Sequence, residues 1–389
     1  MSKKNAALTA AVEVPKGYRL ISEGSANMIF NEKNEVFYNK VQVLNRDLST
    51  TMIQEFAAMN ARRIREKESK KKGWAEAVAR GENPQKIDFT EYIANDLKDV
   101  DYDELVKTDK DKYGLRVLDA LAASGLRSIR YYKEIEGVKE VVVNDMSPEA
   151  VEQAHENVKF NNVDPNVVRV QEGDAIDYMY SLRGKRDKQF DVIDLDPYGS
   201  VVPFVDSAVQ AVKDGGFLNV TSTDMSVLSG GQSPEACFAK YRSFPQPHAS
   251  YLHEFALRIL LHTLETSANR YGRTIVPLAS FGIDFYCRIF VRVFDSRAEA
   301  KKACLKTGNV LQSTGCPSFH ILPSADMSNS GKSYVPSTVT LGACEETGKP
   351  FKINGPIWIA PIHDFDTVDA ALKRVNREEK RYPLGTQKR

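Results

Sequence analysis

The chain has 389 residues, of which 42% are hydrophobic and 27% are charged, enough for a sizeable core and for two domains. Its 53 basic and 52 acidic side chains leave a net charge of +1, so bulk charge does not mark a nucleic-acid binder and any basic surface must be local. No apolar run reaches the ~18 residues of a membrane span. The five scattered cysteines are typical of reduced thiols in an intracellular protein.

A basic stretch lies in the amino-terminal part of the chain. Residues 61–72 read ARRIREKESKKK, with seven basic and two acidic residues. Such a run is typical of a solvated helix, and its functional alternatives are a nuclear-import patch or a phosphate contact. The first 17 residues have lysines and no long apolar core, which excludes a secretory signal. We interpret them as a disordered tail, with a mitochondrial presequence as the alternative.

From about residue 113, strand-like and helix-like segments alternate. Apolar, β-branched runs that end in polar turns predict five strands, in GLRVLDAL, VKEVVVND, NVVRVQEGD, FDVIDLD and FLNVTSTD. Of the helical segments between them, one opens with Ser147 as N-cap and Pro148 at the first helical position. The alternation predicts an α/β fold, Rossmann-like, with a mostly parallel sheet, helices on both faces and a ligand at the carboxyl ends of the strands.

The segment after this alternation predicts a long amphipathic helix that ends at Gly272. RTIVPLASFGIDFYCRIFVRVF then predicts one long strand or two strands in sequence. The remainder mixes a short helix, loops rich in serine, glycine and proline, and a last helix. We therefore predict a first domain over 1–272 and a smaller α+β domain over 273–389.

Three strand ends carry acids that fit an adenosine-containing ligand. Asp119 ends the first strand, and small residues follow it up to Gly125, where a helix begins. Asp145, 20 positions beyond Gly125, can accept hydrogen bonds from both ribose hydroxyls. Asp174 can accept one from an adenine amino group, and Ala175 leaves room for the ring. Each acid alone is more often a helix cap or a turn residue, but acids at three successive strand ends favour a site.

The type of cofactor follows from the motifs that the chain lacks. The loop after the first strand is not a full G-x-G-x-x-G, which leaves a dinucleotide poorly supported. The chain has no G-x-x-x-x-G-K-[ST] loop to hold a triphosphate. We therefore expect S-adenosylmethionine.

The fourth strand ends in IDLDPYGS, residues 193–200. Alternation along the strand places Asp194 and Asp196 on the same face, both near the cofactor. An exocyclic amine on a nucleobase is a poor nucleophile, because its lone pair is delocalised into the ring. Asp196 and the Pro197 carbonyl can accept its N–H bonds and orient that lone pair toward a methyl group, while Tyr198 stacks on a base that has left its own stack. The alternative is an ordinary proline turn with a half-buried tyrosine.

These segments together resemble the tRNA guanine-26 N2-dimethyltransferases over residues 14–389. The resemblance is carried by EGSANMIF, VFYNKVQVLNRDLS, LDALAASGLRSIR, VVVNDMSPEAV, IDLDPYGS, VTSTDMSVLSGGQSPEACFAKY, SFGIDFYCRIFVRV and GPIWIAPIHD. It implies an enzyme that uses S-adenosylmethionine to methylate a guanine exocyclic amine of tRNA twice. It also implies that Asp196 is catalytic and that Pro197 and Tyr198 shape the pocket.

The resemblance further implies cofactor contacts. Phe37 and Arg46 would help to close over the cofactor, Asp145 would hold the ribose, and Asp174 with Ala175 would hold the adenine. By residue type alone, Arg46 is more typical of a salt-bridged surface residue. The basic stretch lies where eukaryotic members of the family carry an insertion, which favours a eukaryotic source and a nuclear location, with the mitochondrion as a second one.

The chain departs from the family pattern in its second domain. Ser313-x-x-Cys316 and Cys344-x-x-Thr347 have each lost one cysteine of a C-x-x-C pair that some members carry. Two thiols, even with His320, do not complete a four-ligand structural zinc site, so we expect no metal. The chain also stops at YPLGTQKR, where the second domain of the family continues with further helices. This departure puts tRNA binding in doubt more than it does the chemistry.

The sequence is also compatible with two other functions. One is an amino-methyltransferase that acts on adenine or cytosine in DNA. The other is a tRNA-binding chaperone that has lost catalysis, although the intact Asp196 speaks against it.

Overall fold

The computed structural model describes residues 14–31, 38–231, 233–340 and 342–378. The first elements are β1 (Tyr18–Glu23), β2 (Ala26–Asn31), α1 (Val43–Ala79), α2 (Thr90–Asp96), α3 (Tyr102–Thr108) and α4 (Lys110–Tyr113). The alternating part contains β3 (Leu115–Asp119), α5 (Leu126–Glu134), β4 (Val138–Asp145), α6 (Pro148–Phe160), β5 (Val168–Glu172), α7 (Ala175–Ser181), β6 (Phe190–Leu195), α8 (Val202–Ala211) and β7 (Val212–Ser222).

The second half of the chain has shorter elements around one long helix and one long hairpin. Its helices and strands are α9 (Met225–Leu228), α10 (Pro234–Tyr241), α11 (Leu252–Asn269), β8 (Arg273–Ile283), β9 (Tyr286–Asp295), α12 (Arg297–Ala300), α13 (Ala303–Lys306), β10 (Thr307–Ser313), β11 (Phe319–Pro323), β12 (Ala325–Met327), β13 (Tyr334–Pro336), β14 (Phe351–Trp358) and α14 (Phe365–Arg377). The helix predicted to end at Gly272 is α11, and the last predicted helix is α14.

Seven strands form the central sheet, in the order β5-β4-β3-β6-β7-β9-β8. Neighbours from β5 to β7 are parallel, whereas β9 runs antiparallel to both β7 and β8. The predicted Rossmann-like, mostly parallel sheet is confirmed. Because the carboxyl ends of β3, β4, β5 and β6 lie along one edge, the polar residues that follow them become neighbours.

Helices cover both faces of the sheet. Successive strand residues pack into two separate hydrophobic clusters. Val117 of β3 packs in a cluster with Phe56 of α1, and Leu118 packs in the opposite cluster with Leu260 of α11. Burial on both faces explains why the strands are continuous apolar runs in the sequence and do not alternate with polar residues.

The domain boundary predicted at residue 272 falls inside this sheet. Strands β8 and β9 form an antiparallel hairpin in which Ile275 lies opposite Val293, and β9 also pairs with β7 along its length. The sheet therefore continues to Asp295. The sequence allowed two strands here, but their insertion beside β7 depends on pairing between residues far apart in the chain.

A smaller antiparallel sheet follows, in the order β11-β10-β14, with β12 and β13 as a separate hairpin. It packs against α11 through Val310, Ile357 and Trp358. Helix α14 returns to α1, where Arg374 pairs with Glu55 and, at 2.9 Å, with Asp103. None of the helices described in the structure combines the length and the apolar character that crossing a membrane requires.

The basic stretch over 61–72 lies within α1. Arg62 pairs with Glu66 at 2.8 Å, and Lys72 pairs with Asp96 at 3.1 Å; both pairs are exposed. These two pairs are typical of a solvated face, whereas Arg63 in the same stretch is part-buried and pairs with Asp214.

Candidate active site

A cavity of about 300 Å³ opens at the carboxyl ends of β3 and β6. Its walls come from three segments, 38–46 before and within α1, 119–127 after β3, and 196–198 after β6, with Thr223 and Phe285 completing it. The predicted site residues Arg46, Asp119, Asp196, Pro197 and Tyr198 all line this cavity.

The loop after β3 is held open by an unusual backbone. Gly125, the residue before α5, has φ +77°, and a side chain there would approach the Cβ of Ala154 to 3.3 Å. Ala123 also has a positive φ, 45°. Its N–H donates to Oδ2 of Asp145 at 2.8 Å, and the N–H of Ser147 donates to Oδ1 at 3.0 Å. Asp145, at the end of β4, thus fixes the shape of the cavity wall from just outside the lining.

Asp196 forms an ion pair with Arg127, whose guanidinium is buried in the first turn of α5. The same guanidinium donates to Oγ of Ser49 at 2.9 Å and lies 3.7 Å from the carboxylate of Asp194. Burial lowers the pKa of Arg127, but Asp194 and Asp196 outweigh it and raise that pKa well above its ordinary value. A permanent positive charge therefore holds one oxygen of Asp196, Oδ2, in place.

Asp194 lies beneath the cavity with no exposed surface. Its carboxylate accepts hydrogen bonds from Tyr131 at 2.6 Å, from Asn219 at 3.1 Å and from Arg288 at 2.6 and 3.1 Å. Burial raises the pKa of Asp194, but Arg288 and Arg127 outweigh it and hold that pKa at about 2. The predicted contact between Asp194 and the cofactor is thus not supported, because protein groups enclose the carboxylate. Asp194 influences the cavity only through its ion pair with Arg127.

Asp119 is only 2% exposed although it lines the cavity. Oγ of Ser128 donates to it at 2.7 Å. Burial raises the pKa of Asp119 to about 7, with Arg127 acting against the shift and Asp194 adding to it. A cation that entered the cavity would favour the ionised form of this acid.

Arg46 reaches the cavity from α1 and is itself buried. It makes a two-point ion pair with Glu23 at 2.6 and 2.5 Å, and its guanidinium lies 5.6 Å from the centre of the Tyr38 ring. Glu23 also accepts from Arg130 of α5 at 2.9 Å. The salt bridge expected from residue type is present, but it is buried and ties the β1–β2 hairpin to the cavity wall.

The residues predicted to hold adenine lie outside the cavity lining. Asp174 is exposed and caps α7, where Oδ1 accepts from the N–H groups of Ile176 at 2.7 Å and Asp177 at 3.3 Å. Ala175 is buried at the start of that helix. This is the helix-cap alternative that the sequence left open for Asp174, and its adenine contact stays a prediction. Phe37 lies outside the described residues.

Several lining residues were not identified from the sequence, among them Arg127, Thr223 and Phe285. Arg127 belongs to LDALAASGLRS and lies in the first turn of α5, where the helix dipole disfavours a positive charge. An arginine at such a position indicates a nearby carboxylate that compensates for the dipole, and this signal was present in the sequence. Thr223 accepts from the N–H of Gly199 at 2.7 Å and fixes the turn after Tyr198. Phe285 lies in the β8–β9 turn, and no local pattern places it at the site.

The chemistry that the site allows depends on three neighbours after β6. Asp196 offers its second carboxylate oxygen, Pro197 offers a backbone carbonyl, and the side chain of Tyr198 is 76% exposed at the cavity mouth. Two acceptors beside an aromatic ring suit a flat ligand that carries an amine. As to metals, the residues that the structure describes contain no group of three or more His, Cys, Asp or Glu side chains placed to hold an ion.

The strand order, the single antiparallel strand and the cavity at the carboxyl edge define a Rossmann-like class I methyltransferase fold. The solved structure of Trm1 from Pyrococcus horikoshii with S-adenosyl-L-methionine shares this fold, with a TM-score of 0.66 and 24% identity over 92% of this chain and 78% of that one. The family model for N2,N2-dimethylguanosine tRNA methyltransferases matches residues 17–388. The chain belongs to this family.

The chain is also similar to enzymes from plants and mammals. A tRNA (guanine(26)-N(2))-dimethyltransferase 2 of Arabidopsis thaliana is 40% identical over 94% of this chain and 65% of its own length. The tRNA (guanine(26)-N(2))-dimethyltransferase of Mus musculus is 42% identical, and this chain covers 55% of its length. The enzyme of that name from Homo sapiens is 39% identical, with 56% of its length covered. The chain thus spans between about half and two thirds of the length of these relatives.

Proposed function

We propose that the protein transfers methyl groups from S-adenosylmethionine to the exocyclic N2 amine of guanine 26 in tRNA, giving N2,N2-dimethylguanosine. The observation that carries this proposal is the placement of Asp196, Pro197 and Tyr198 together at the mouth of the carboxyl-edge cavity. Family membership, and relatives about 40% identical that are tRNA (guanine(26)-N(2))-dimethyltransferases, support the substrate.

The residues of the cavity fit the cofactor. A backbone loop kept open by Ala123 and Gly125 suits close approach of a nucleoside, and the enclosed acid Asp119 suits a positive charge nearby. S-adenosylmethionine, when bound, supplies an electrophilic methyl group on a positively charged sulfur. Within this proposal Asp145 holds the ribose, Asp174 and Ala175 hold the adenine, and Phe37 and Arg46 close over the ligand. Asp194 is left out of the contacts because it is enclosed.

The residues after β6 would prepare the amine. Arg127 holds Oδ2 of Asp196, which leaves Oδ1 to accept one N–H of the guanine amine, while the Pro197 carbonyl accepts the other. These bonds return electron density to the nitrogen and aim its lone pair at the methyl carbon. The amine loses a proton as it becomes methylated, and Asp196 can take it. A monomethylated amine retains one N–H, so the same acceptors serve a second transfer.

The function is tested by nucleoside mass spectrometry of a tRNA transcript incubated with the protein and S-adenosylmethionine. We expect N2,N2-dimethylguanosine from a transcript with guanine at position 26 and none from a matched transcript with adenine there. Methylated adenine or cytosine in a DNA substrate would replace the proposal by the DNA-modifying alternative. Binding of tRNA without any methylated nucleoside would favour the silent chaperone.

The cofactor proposal predicts that Asp145→Ala weakens the binding of S-adenosylmethionine at least about tenfold, roughly 1.4 kcal/mol. The substitution removes the proposed ribose acceptor, the contact to the N–H of Ala123 in the loop after β3, and the contact to the N–H of Ser147 before α6. Isothermal titration calorimetry measures the dissociation constant directly. Asp187→Ala, an acid in an exposed loop, is the matched control and should bind like the wild type. An unchanged affinity in Asp145→Ala would refute the ribose assignment.

We also propose a nuclear location, with the mitochondrion as a second one. The basic run over 61–72 supports the first. A mitochondrial tRNA (guanine(26)-N(2))-dimethyltransferase of Saccharomyces cerevisiae, 36% identical over 96% of this chain, supports the second. Imaging of the chain with a carboxyl-terminal fluorescent tag decides between them.

A further inference from the structure

Two thiols meet in the small antiparallel sheet, away from the carboxyl-edge cavity. Cys316 lies in the loop between β10 and β11, and Cys344 lies in the turn before β14. Their sulfur atoms are 3.6 Å apart although the residues are 28 positions apart in the chain. The N–H of Thr314 donates to the carbonyl of Pro350 at 3.1 Å, so the backbone itself holds the two turns together.

The two thiols differ in access. Cys344 is 3% exposed, whereas Cys316 is half-buried and reaches solvent. Hydrogen bonds from the hydroxyls of Ser313 and Thr347 lower the pKa of Cys344 to about 6. Cys344 therefore ionises more readily than an ordinary thiol but is shielded from bulky reagents, which meet the more exposed Cys316 instead.

We propose that Cys316 and Cys344 form a reversible disulfide with glutathione disulfide as the oxidant. The Cys316 thiolate attacks one sulfur of glutathione disulfide, which gives a mixed disulfide and releases one glutathione thiolate. The Cys344 thiolate then attacks the Cys316 sulfur, so the protein S–S bond forms as the mixed disulfide breaks and the second glutathione leaves. The two protein thiols together lose two electrons and two protons, and one glutathione disulfide becomes two glutathiones.

The geometry suits this step better than a metal. A disulfide has a bond of about 2.05 Å, so the sulfurs need to close by only about 1.5 Å, within reach of side-chain rotation. A structural zinc ion needs four nitrogen or sulfur ligands, and the positions that would complete the set here are the hydroxyls of Ser313 and Thr347. The cross-link would close a loop containing β11, β12 and β13, and the oxidised protein should unfold at a temperature several degrees higher.

The experiment incubates the full chain with oxidised glutathione, alkylates the remaining thiols and maps the peptides by mass spectrometry. We expect a linked pair of peptides containing Cys316 and Cys344 that separates on reduction. Cys304→Ser is the matched control, because Cys304 is also half-buried but is not part of the pair. This variant should cross-link like the wild type.

Two serine variants separate the roles of the thiols. Cys344→Ser should accumulate glutathione on Cys316 several-fold above the wild type, since no neighbour resolves the mixed disulfide. Cys316→Ser should stay largely free of glutathione at Cys344, because that sulfur is buried. Thermal unfolding in reducing buffer checks that both variants are folded.

The proposal is overturned if the wild type keeps both thiols open to alkylation while Cys304 is modified. It is equally overturned if the protein as purified holds stoichiometric zinc that protects Cys316 and Cys344 until a chelator is added. Neither outcome depends on methyltransferase activity.

Discussion

Asp196→Asn is expected to slow methyl transfer by about 10²–10³-fold, because the neutral amide no longer draws the N–H of the guanine amine or accepts its proton. The substitution keeps the size of the side chain. The buried Arg127 next to it keeps a second carboxylate, Asp194, at 3.7 Å. The fold and the binding of tRNA should therefore remain near wild type. A single-turnover assay with labelled S-adenosylmethionine measures the rate, and filter binding measures tRNA affinity.

The control for this experiment is Asp187→Asn, which makes the same change in the exposed loop before β6 and should leave the rate unaltered. Full activity in Asp196→Asn would remove Asp196 from the mechanism. A parallel loss of tRNA affinity and rate would instead assign this carboxylate to substrate binding.

Arg288→Met is expected to lower the free energy of unfolding by about 3–5 kcal/mol, because it leaves the carboxylate of Asp194 buried without its closest cation. Arg288 has no exposed surface and also donates to Ser49 and Thr221, both at 2.7 Å, so the change breaks contacts to α1 and to β7 together. Urea unfolding followed by circular dichroism measures the loss.

The stability loss expected for Arg288→Met depends on pH in a definite direction. In the wild type the pKa of Asp194 is held at about 2, below its ordinary value of 3.8, so its contribution to stability is fully present above about pH 4 and is lost as the pH falls toward 2. Without Arg288, one of the two cations that lower the pKa of Asp194 is lost while burial still raises that pKa, so the carboxyl becomes neutral at a higher pH than in the wild type. The deficit of Arg288→Met should therefore shrink as the solution is acidified from pH 7.

Arg62→Met is the matched control, because Arg62 makes an exposed ion pair with Glu66 on α1. Such pairs contribute little to stability, and we expect no measurable change. Equal losses in the two variants would mean that the Asp194 ion pair does not hold these elements together.

The residues for which a catalytic role is predicted lie at the carboxyl-edge cavity, as expected, because their placement depends on local sequence. Asp196, Pro197 and Tyr198 follow an apolar strand directly, and in a parallel sheet the carboxyl ends of neighbouring strands share one edge. The same rule brought Asp119 to the cavity. The same reasoning did not bring Asp174 to the cavity lining. An aspartate directly before a helix often caps that helix, and Asp174 caps α7.

Pairings between distant residues were decided by the tertiary structure alone. Strand alternation correctly relates Asp194 to Asp196, but Arg288, 94 positions away, encloses the first and leaves the second at the cavity. The insertion of β9 beside β7, which carries the sheet past residue 272, is of the same kind. The sequence by itself determined the strands, their polar ends and the acid–proline–tyrosine turn. Burial and charge pairing were set only when remote segments packed together, because both depend on which groups exclude water from each other.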